Sequence, residues 1–150
     1  MTCWLGIDHG SKRIGVAAGS IPPGIATPVE VVPAEPHQAA MDRIARLATA
    51  YHAGGLVVGW PLNMDDTQGP QADLARELAG QLATATGLDV RLWDERLSSF
   101  AADELLAGKL TRKKRKALQD ALAAAAILQD FFDSNGPDQA PRWDQASGGR

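Results

Sequence analysis

The apolar positions of this chain fall first into short continuous runs and later into helical stripes. Residues 3–8 (Cys-Trp-Leu-Gly-Ile-Asp) and 13–18 (Arg-Ile-Gly-Val-Ala-Ala) read as two strands. The turn between them carries Gly10 and Ser11, which makes the pair a hairpin. A loop with Pro22, Pro23 and Gly24 follows, and Thr27 to Val32 reads as a third strand ended by Pro33. From 36 to 53, Ala40, Ile44, Leu47, Ala48 and Tyr51 recur at helical spacing, with Gly54-Gly55 as the stop. Leu56-Val57-Val58-Gly59 is an apolar run of the kind that parallel strands bury on both faces. A turn-rich loop spans 60–70. Leu74, Leu78 and Leu82 then mark a helix over 71–86 that Gly87 closes, and Asp89 to Trp93 is a further strand. Ser98 or Ser99 is placed to cap a helix reaching Leu106, and Thr111 a last helix running to about Phe132.

The order β-β-β-α-β-α-β-α-α has one economical arrangement. Three strands joined by short turns pair antiparallel, and strands joined through helices pair parallel by crossover. This predicts an α/β fold with a mixed five-stranded sheet and helices on both faces. The predicted domain spans 1–133. The polar segment 134–150, with Pro137, Pro141 and Gly148-Gly149, is expected to be poorly ordered.

Length and composition narrow the setting. A chain of 150 residues is one domain in size and can bury roughly 68–70% of its unfolded surface without staples. Cys3 is the single cysteine, so no internal disulfide forms. Asp8 arrives too early for a signal-peptide core, and no apolar run reaches the roughly 20 residues of a membrane span. A cytoplasmic protein without membrane contact is the expectation. The formal net charge of −3 argues against a protein that coats nucleic acid without specificity. It leaves room for a basic face, because five of the fifteen Lys and Arg are consecutive: Arg112, Lys113, Lys114, Arg115 and Lys116.

Five segments carry possible chemistry. Asp8 stands where a buried strand gives way to a glycine turn. A carboxylate on so stiff an element suits a divalent cation, although Asp8 and Ser11 also read as plain turn formers. Asp94 and Glu95 follow a strand and point to opposite faces if it continues. One shares the side of Leu92 and the other that of Trp93, and the spacing leaves open which is a ligand. Asp120 leads the apolar stripe Ala124, Ile127, Phe131, a costly place for an acid without a partner or metal. A solvated acid near the helix start is the plainer reading. The run Arg112–Lys116 occupies the first turns of a helix, where cations oppose the macrodipole. An anionic partner such as phosphate would satisfy it. Asn63 and Asp65 lie on a loop that a strand delivers to the same sheet end as Glu95, and could contact phosphates or water on a metal.

Together these segments resemble the YqgF/RuvX family of Holliday junction resolvases and pre-rRNA-processing nucleases over roughly residues 3 to 133. The resemblance rests on Gly6-Ile7-Asp8 with Gly10 to Ala17, on Val57-Val58-Gly59 with Pro61 to Asp65, on Asp94 to Ser98, and on Arg112-Lys113-Lys114 with Asp120 before the alanine-rich helix. It implies an RNase H-like fold and a ligand set of Asp8, Glu95 and Asp120 for Mg²⁺ or Mn²⁺, and it prefers Glu95 over Asp94. Lys12, Arg13, Asn63, Arg96 and Arg112 to Lys116 become candidate nucleic-acid contacts. His9 stands where the family usually has an apolar residue, and Asp66 where it often has Gly. The expected activity is metal-dependent endonucleolytic cleavage of branched DNA or of the 5′ end of precursor ribosomal RNA. Two symmetric cuts in a junction would require a homodimer. Two other readings compete. A non-catalytic nucleic-acid-binding module could keep the fold. A phosphotransfer fold of the actin/sugar-kinase type could use the turn Asp8 to Ser11 for ATP phosphate, but it needs a second such domain and a second phosphate loop that 150 residues do not provide.

Overall fold

The computed structural model describes residues 2–10, 12–61, 69–94 and 112–144, with the backbone alone for 112–117. Its elements are β1 (Thr2–His9), β2 (Arg13–Ile21), β3 (Ile25–Pro33), α1 (His37–Ala50), β4 (Ala53–Trp60), α2 (Pro70–Thr86), β5 (Asp89–Asp94), α3 (Arg112–Asp133) and α4 (Gly136–Gln139). The helix expected between Ser98 and Leu106 lies outside the described residues.

The five strands form one sheet in the order β3-β2-β1-β4-β5. β1 and β2 pair antiparallel, as do β2 and β3. β4 pairs parallel with β1 on one side and with β5 on the other. This is the mixed sheet that the connection lengths require.

Both faces of the sheet are covered, which explains why the central strands read as unbroken apolar runs. Leu5, Ile7, Leu56, Val58, Val90 and Leu92 belong to a core with Ile44, Leu47, Leu78 and Leu82 of α1 and α2. Trp4, Ala17, Val57 and Trp93 belong to a second core with Ala124, Ala125, Ile127, Leu128 and Phe131 of α3. The Phe131 ring meets Trp4 and Trp93 edge-on, with centroids 4.9 and 5.8 Å apart. The period-2 alternation thus sorts β1: Trp4, Gly6 and Asp8 share the α3 side, whereas Leu5, Ile7 and His9 share the other.

The alanines and glycines let α3 lie directly on the sheet. A Cβ at Gly6 would come within 2.8 Å of Leu128 Cβ and 2.9 Å of the Ala124 carbonyl oxygen, closer than real Cβ atoms approach. A Cβ at Gly15 would collide with the Asp120 carbonyl.

Three details differ from the expectations. α1 ends at Ala50, and His52 turns the chain with a φ of 53°. Gly54-Gly55 belong to β4, where a Cβ on Gly55 would run into the Trp4 ring. Gly55 thus serves a close ring contact, where a helix stop was expected. In α2 the left-handed Gly87 closes the helix as expected, whereas the first helical residue is Pro70, which the expectation left in the preceding loop. Yet Leu74 is 46% exposed, and Ala72, Ala75 and Ala79 join Leu78 and Leu82 in the buried stripe. Finally, the chain beyond Asp133 continues to pack where a poorly ordered tail was expected. The Leu92 N–H donates to the Pro141 carbonyl and the Trp143 N–H to that of Val90, each at 3.0 Å. Arg91 adds bonds to the Pro137 and Ala140 carbonyls at 3.1 and 2.8 Å. Residues 140–143 thereby cover the open edge of β5. Residues 145–150 lie outside the described residues.

Trp93 Nε1–H donates to Asp130 Oδ2 at 2.8 Å. Burial pushes the Asp130 carboxyl above its ordinary value of 3.8, the indole bond opposes that shift, and nearby Asp133 adds to it. A raised folded-state pKa means that the native state holds this proton more tightly, so its stabilisation is present at low pH and lost as pH rises through the folded value. Asp130→Asn keeps an acceptor for the indole. It is expected to raise the melting temperature by a few degrees at pH 7 and to leave it near wild type at pH 3, as measured by thermal unfolding at both pH values.

Candidate metal and nucleic-acid site

The β1–β2 hairpin positions the central acid. Asp8 is paired directly with Gly15, and His9 with Ile14. Residues opposite each other in an antiparallel pair present the same face, so Asp8 stands over the absent side chain of Gly15. The Asp120 backbone fills that space from α3. A glycine inside a strand and an alanine-rich helix thus bring two acids, 112 positions apart in the sequence, to one face at one end of the sheet. Asp8 and Asp120 are both partly buried.

The turn after β1 is tied at both ends. The Gly10 N–H donates to the Arg13 carbonyl at 2.9 Å, and the Ala34 N–H to that of Lys12 at 3.0 Å. A Cβ on Gly10 would sit 2.7 Å from the Arg13 carbonyl oxygen, so the close turn requires glycine. Lys12 is exposed at its tip. Arg13 lies two residues before Gly15, on the same face, and its Nε–H donates to Asp120 Oδ2 at 2.7 Å. Arg13, expected to contact nucleic acid, thus also holds an acid of its own chain. Nothing in residue spacing shows a pair 107 positions apart.

β5 separates the two neighbouring acids. Asp94 pairs with Trp60 and follows Leu92 in parity, which places it toward the α1 and α2 side. Trp93 faces α3, as Asp8 does. Glu95, Arg96, Asn63 and Asp65 lie outside the described residues. Arg112 to Lys116 form the first turns of α3. At 1.5 Å per residue, Arg112 is about 12 Å along the helix from Asp120, at the Asp8 end of the sheet.

His9 belongs to the other side. Its Nδ1 is buried without a hydrogen-bond partner among the described residues. Burial lowers its pKa below the ordinary 6.5, and His37 lowers it further. It lines a cavity with Glu35, His37, Gln71 and Glu77. A larger hollow of about 610 Å³ lies between α1 and α2, with Trp143 at its edge. Both hollows are on the face away from Asp8 and Asp120.

Among the described residues no three His, Cys, Asp or Glu side chains converge in a manner able to hold a metal ion. Asp8 and Asp120 supply two hard oxygen donors on the α3 face, and Asp120 already takes a cation in Arg13. That donor chemistry fits Mg²⁺ or Mn²⁺.

Comparison with known proteins bears on the family and the fold. A family model described as RuvX, Holliday junction resolvase, matches residues 2–134. A protein of Pelotomaculum thermopropionicum named "Putative pre-16S rRNA nuclease" is 42% identical over 134 residues, covering 88% of this chain and 87% of its own. A protein of the same name from Bacillus thuringiensis is 41% identical over 133 residues, covering 87% and 97%. Among solved structures, Thermus thermophilus RuvC in complex with a Holliday junction substrate superposes with a TM-score of 0.58 at 16% identity, covering 95% of this chain and 99% of that one. Fowlpox virus resolvase with Holliday junction DNA gives 0.57 at 10% identity, covering 89% and 99%. These two likenesses establish the RNase H-like fold. The family match over nearly the whole domain, with relatives above 40% identity, goes further: this chain belongs to the RuvX family.

Proposed function

We propose that this nuclease hydrolyses phosphodiester bonds in structured nucleic acid with one or two Mg²⁺ or Mn²⁺ ions held by Asp8, Asp120 and Glu95. The observation that carries the reading is the seating of the Asp120 backbone on Gly15, directly across the hairpin from Asp8. Trp93 shares the Asp8 face, so extending the β5 alternation by one residue would bring Glu95, and not Asp94, to that side. A divalent ion there would supply Lewis-acid activation of water and would stabilise the leaving oxygen. The protein holds the acids on two stiff elements and presents cations to the backbone. Arg112 to Lys116, with Lys12, Arg13, Asn63 and Arg96, are proposed to grip phosphates, where affinity falls steeply with salt.

The 5′ region of precursor 16S rRNA is the substrate favoured by the names of the relatives above 40% identity. Branched DNA is a second reading, supported by the family description; it would require a homodimer, which we propose for that case alone. A cytoplasmic location goes with either substrate. Among the described residues no helix is long and apolar enough to cross a membrane. The test is incubation with 5′-extended 16S rRNA and, separately, with a four-way DNA junction, each in Mn²⁺ and in a chelator. The expected result is cleavage of the RNA in Mn²⁺ only. Binding of both without cutting of either would establish a non-catalytic module instead.

A further inference from the structure

We propose that Arg13 is a built-in counter-ion that competes with the divalent cation for Asp120 and so sets the metal concentration at which the site loads. The inference rests on the metal-site reading above.

The geometry is specific. Arg13 Nε–H lies 2.7 Å from Asp120 Oδ2, with the side chains 62% and 33% exposed. The Arg13 backbone is held by the Gly10 N–H and by pairing with Pro33. The Asp120 backbone cannot recede, because it is seated on Gly15. The two backbones are therefore fixed, and the exposed guanidinium is the part that can move. An exposed pair of this kind is weak enough for a dication to displace. The same guanidinium could instead orient the carboxylate and help metal binding. Charge decides between the two effects. A unit positive charge beside a dication is repelled at every distance within the site, whereas orienting one carboxylate saves only a rotamer or two of freedom. Competition should win. Without metal, the guanidinium relieves the repulsion between acids gathered on one face; with metal, it must give way.

The experiment is Mn²⁺ titration by calorimetry on the full chain, comparing wild type, Arg13→Gln, Lys12→Gln, Asp120→Asn and Arg13→Gln/Asp120→Asn, each checked for a native melting temperature. Arg13→Gln is expected to bind Mn²⁺ about tenfold more tightly, a difference of about 1.4 kcal/mol. Lys12→Gln removes the same charge one residue away and is expected to change affinity less than twofold. On the Asp120→Asn background the Arg13 effect is expected to vanish, as a direct coupling demands. Equal or weaker binding by Arg13→Gln, or an equal gain in Lys12→Gln, overturns the competition while leaving the metal site standing. No Mn²⁺ binding by any folded variant, wild type included, overturns the metal reading itself and the competition with it.

Discussion

Asp8→Asn is expected to lower Mn²⁺-dependent cleavage by on the order of 10³-fold, about 4 kcal/mol of transition-state stabilisation, while the fold survives. Asparagine keeps the volume and one oxygen of the acid but removes its charge and one lone-pair-rich oxygen, which are what a hard dication binds. The position itself is tolerant. Asp8 is near the end of β1, partly exposed, and faces a glycine across the hairpin. No apolar contact of either core depends on it. The melting temperature should stay within a few degrees of wild type. Rates under single-turnover conditions, together with thermal unfolding, check both halves. Loss of activity accompanied by loss of fold would mean that Asp8 acts in structure rather than in chemistry.

Gly15→Val is expected to cost about 4 kcal/mol and to lower the melting temperature by roughly 10 °C, using 2–4 °C per kcal/mol for a chain of this size. Strand propensity alone predicts the opposite sign, because replacing glycine in a strand relieves a penalty of roughly 0.5–1 kcal/mol. Steric collision decides. The obstacle to a Cβ at Gly15 is the Asp120 carbonyl, a backbone atom that cannot swing aside. Overpacking typically costs about 1–3 kcal/mol where side chains can shift, and here all of α3 would have to lift. The same lift would separate Asp120 from Asp8, so Mn²⁺ affinity should fall with stability. Chemical unfolding and Mn²⁺ titration of Gly15→Val and Gly15→Ala measure the effect, with alanine intermediate. A neutral or stabilising outcome would show that α3 does not rest on Gly15.

Much of this architecture was legible in the sequence because it is written in periodicities. The apolar runs at 3–8 and 56–59 announced buried strands, and Gly87 marked the end of α2. What periodicity could not show was contact between distant segments. Gly54-Gly55 looked like a helix stop because the Trp4 ring that needs the space is some fifty residues away. The leucine repeat in α2 suggested burial for Leu74, but the helix turns its alanines toward the sheet. The segment after Asp133 looked too polar to order, yet backbone bonds to β5 and the Trp143 ring hold it. Within the site, Asp8 and Asp120 were identifiable as acids in unusual positions. Their placement on one face depends on Gly15, whose role no local pattern reveals beyond the oddity of a glycine in mid-strand. The choice between Asp94 and Glu95 was a question of parity, and the placement of Trp93 and Asp94 on opposite faces bears on it.

Asp8 and Asp120, on one face of the sheet, are proposed to hold the cation that drives cleavage. The most direct test measures cleavage of 5′-extended 16S rRNA against Mn²⁺ concentration for wild type and Asp120→Asn, alongside Mn²⁺ binding to each. That role predicts that wild-type activity rises over the same concentration range as binding, is abolished by chelator, and falls at least a hundredfold in Asp120→Asn even at saturating metal. Cleavage by Asp120→Asn at the wild-type rate, or undiminished wild-type cleavage in chelator, would contradict it.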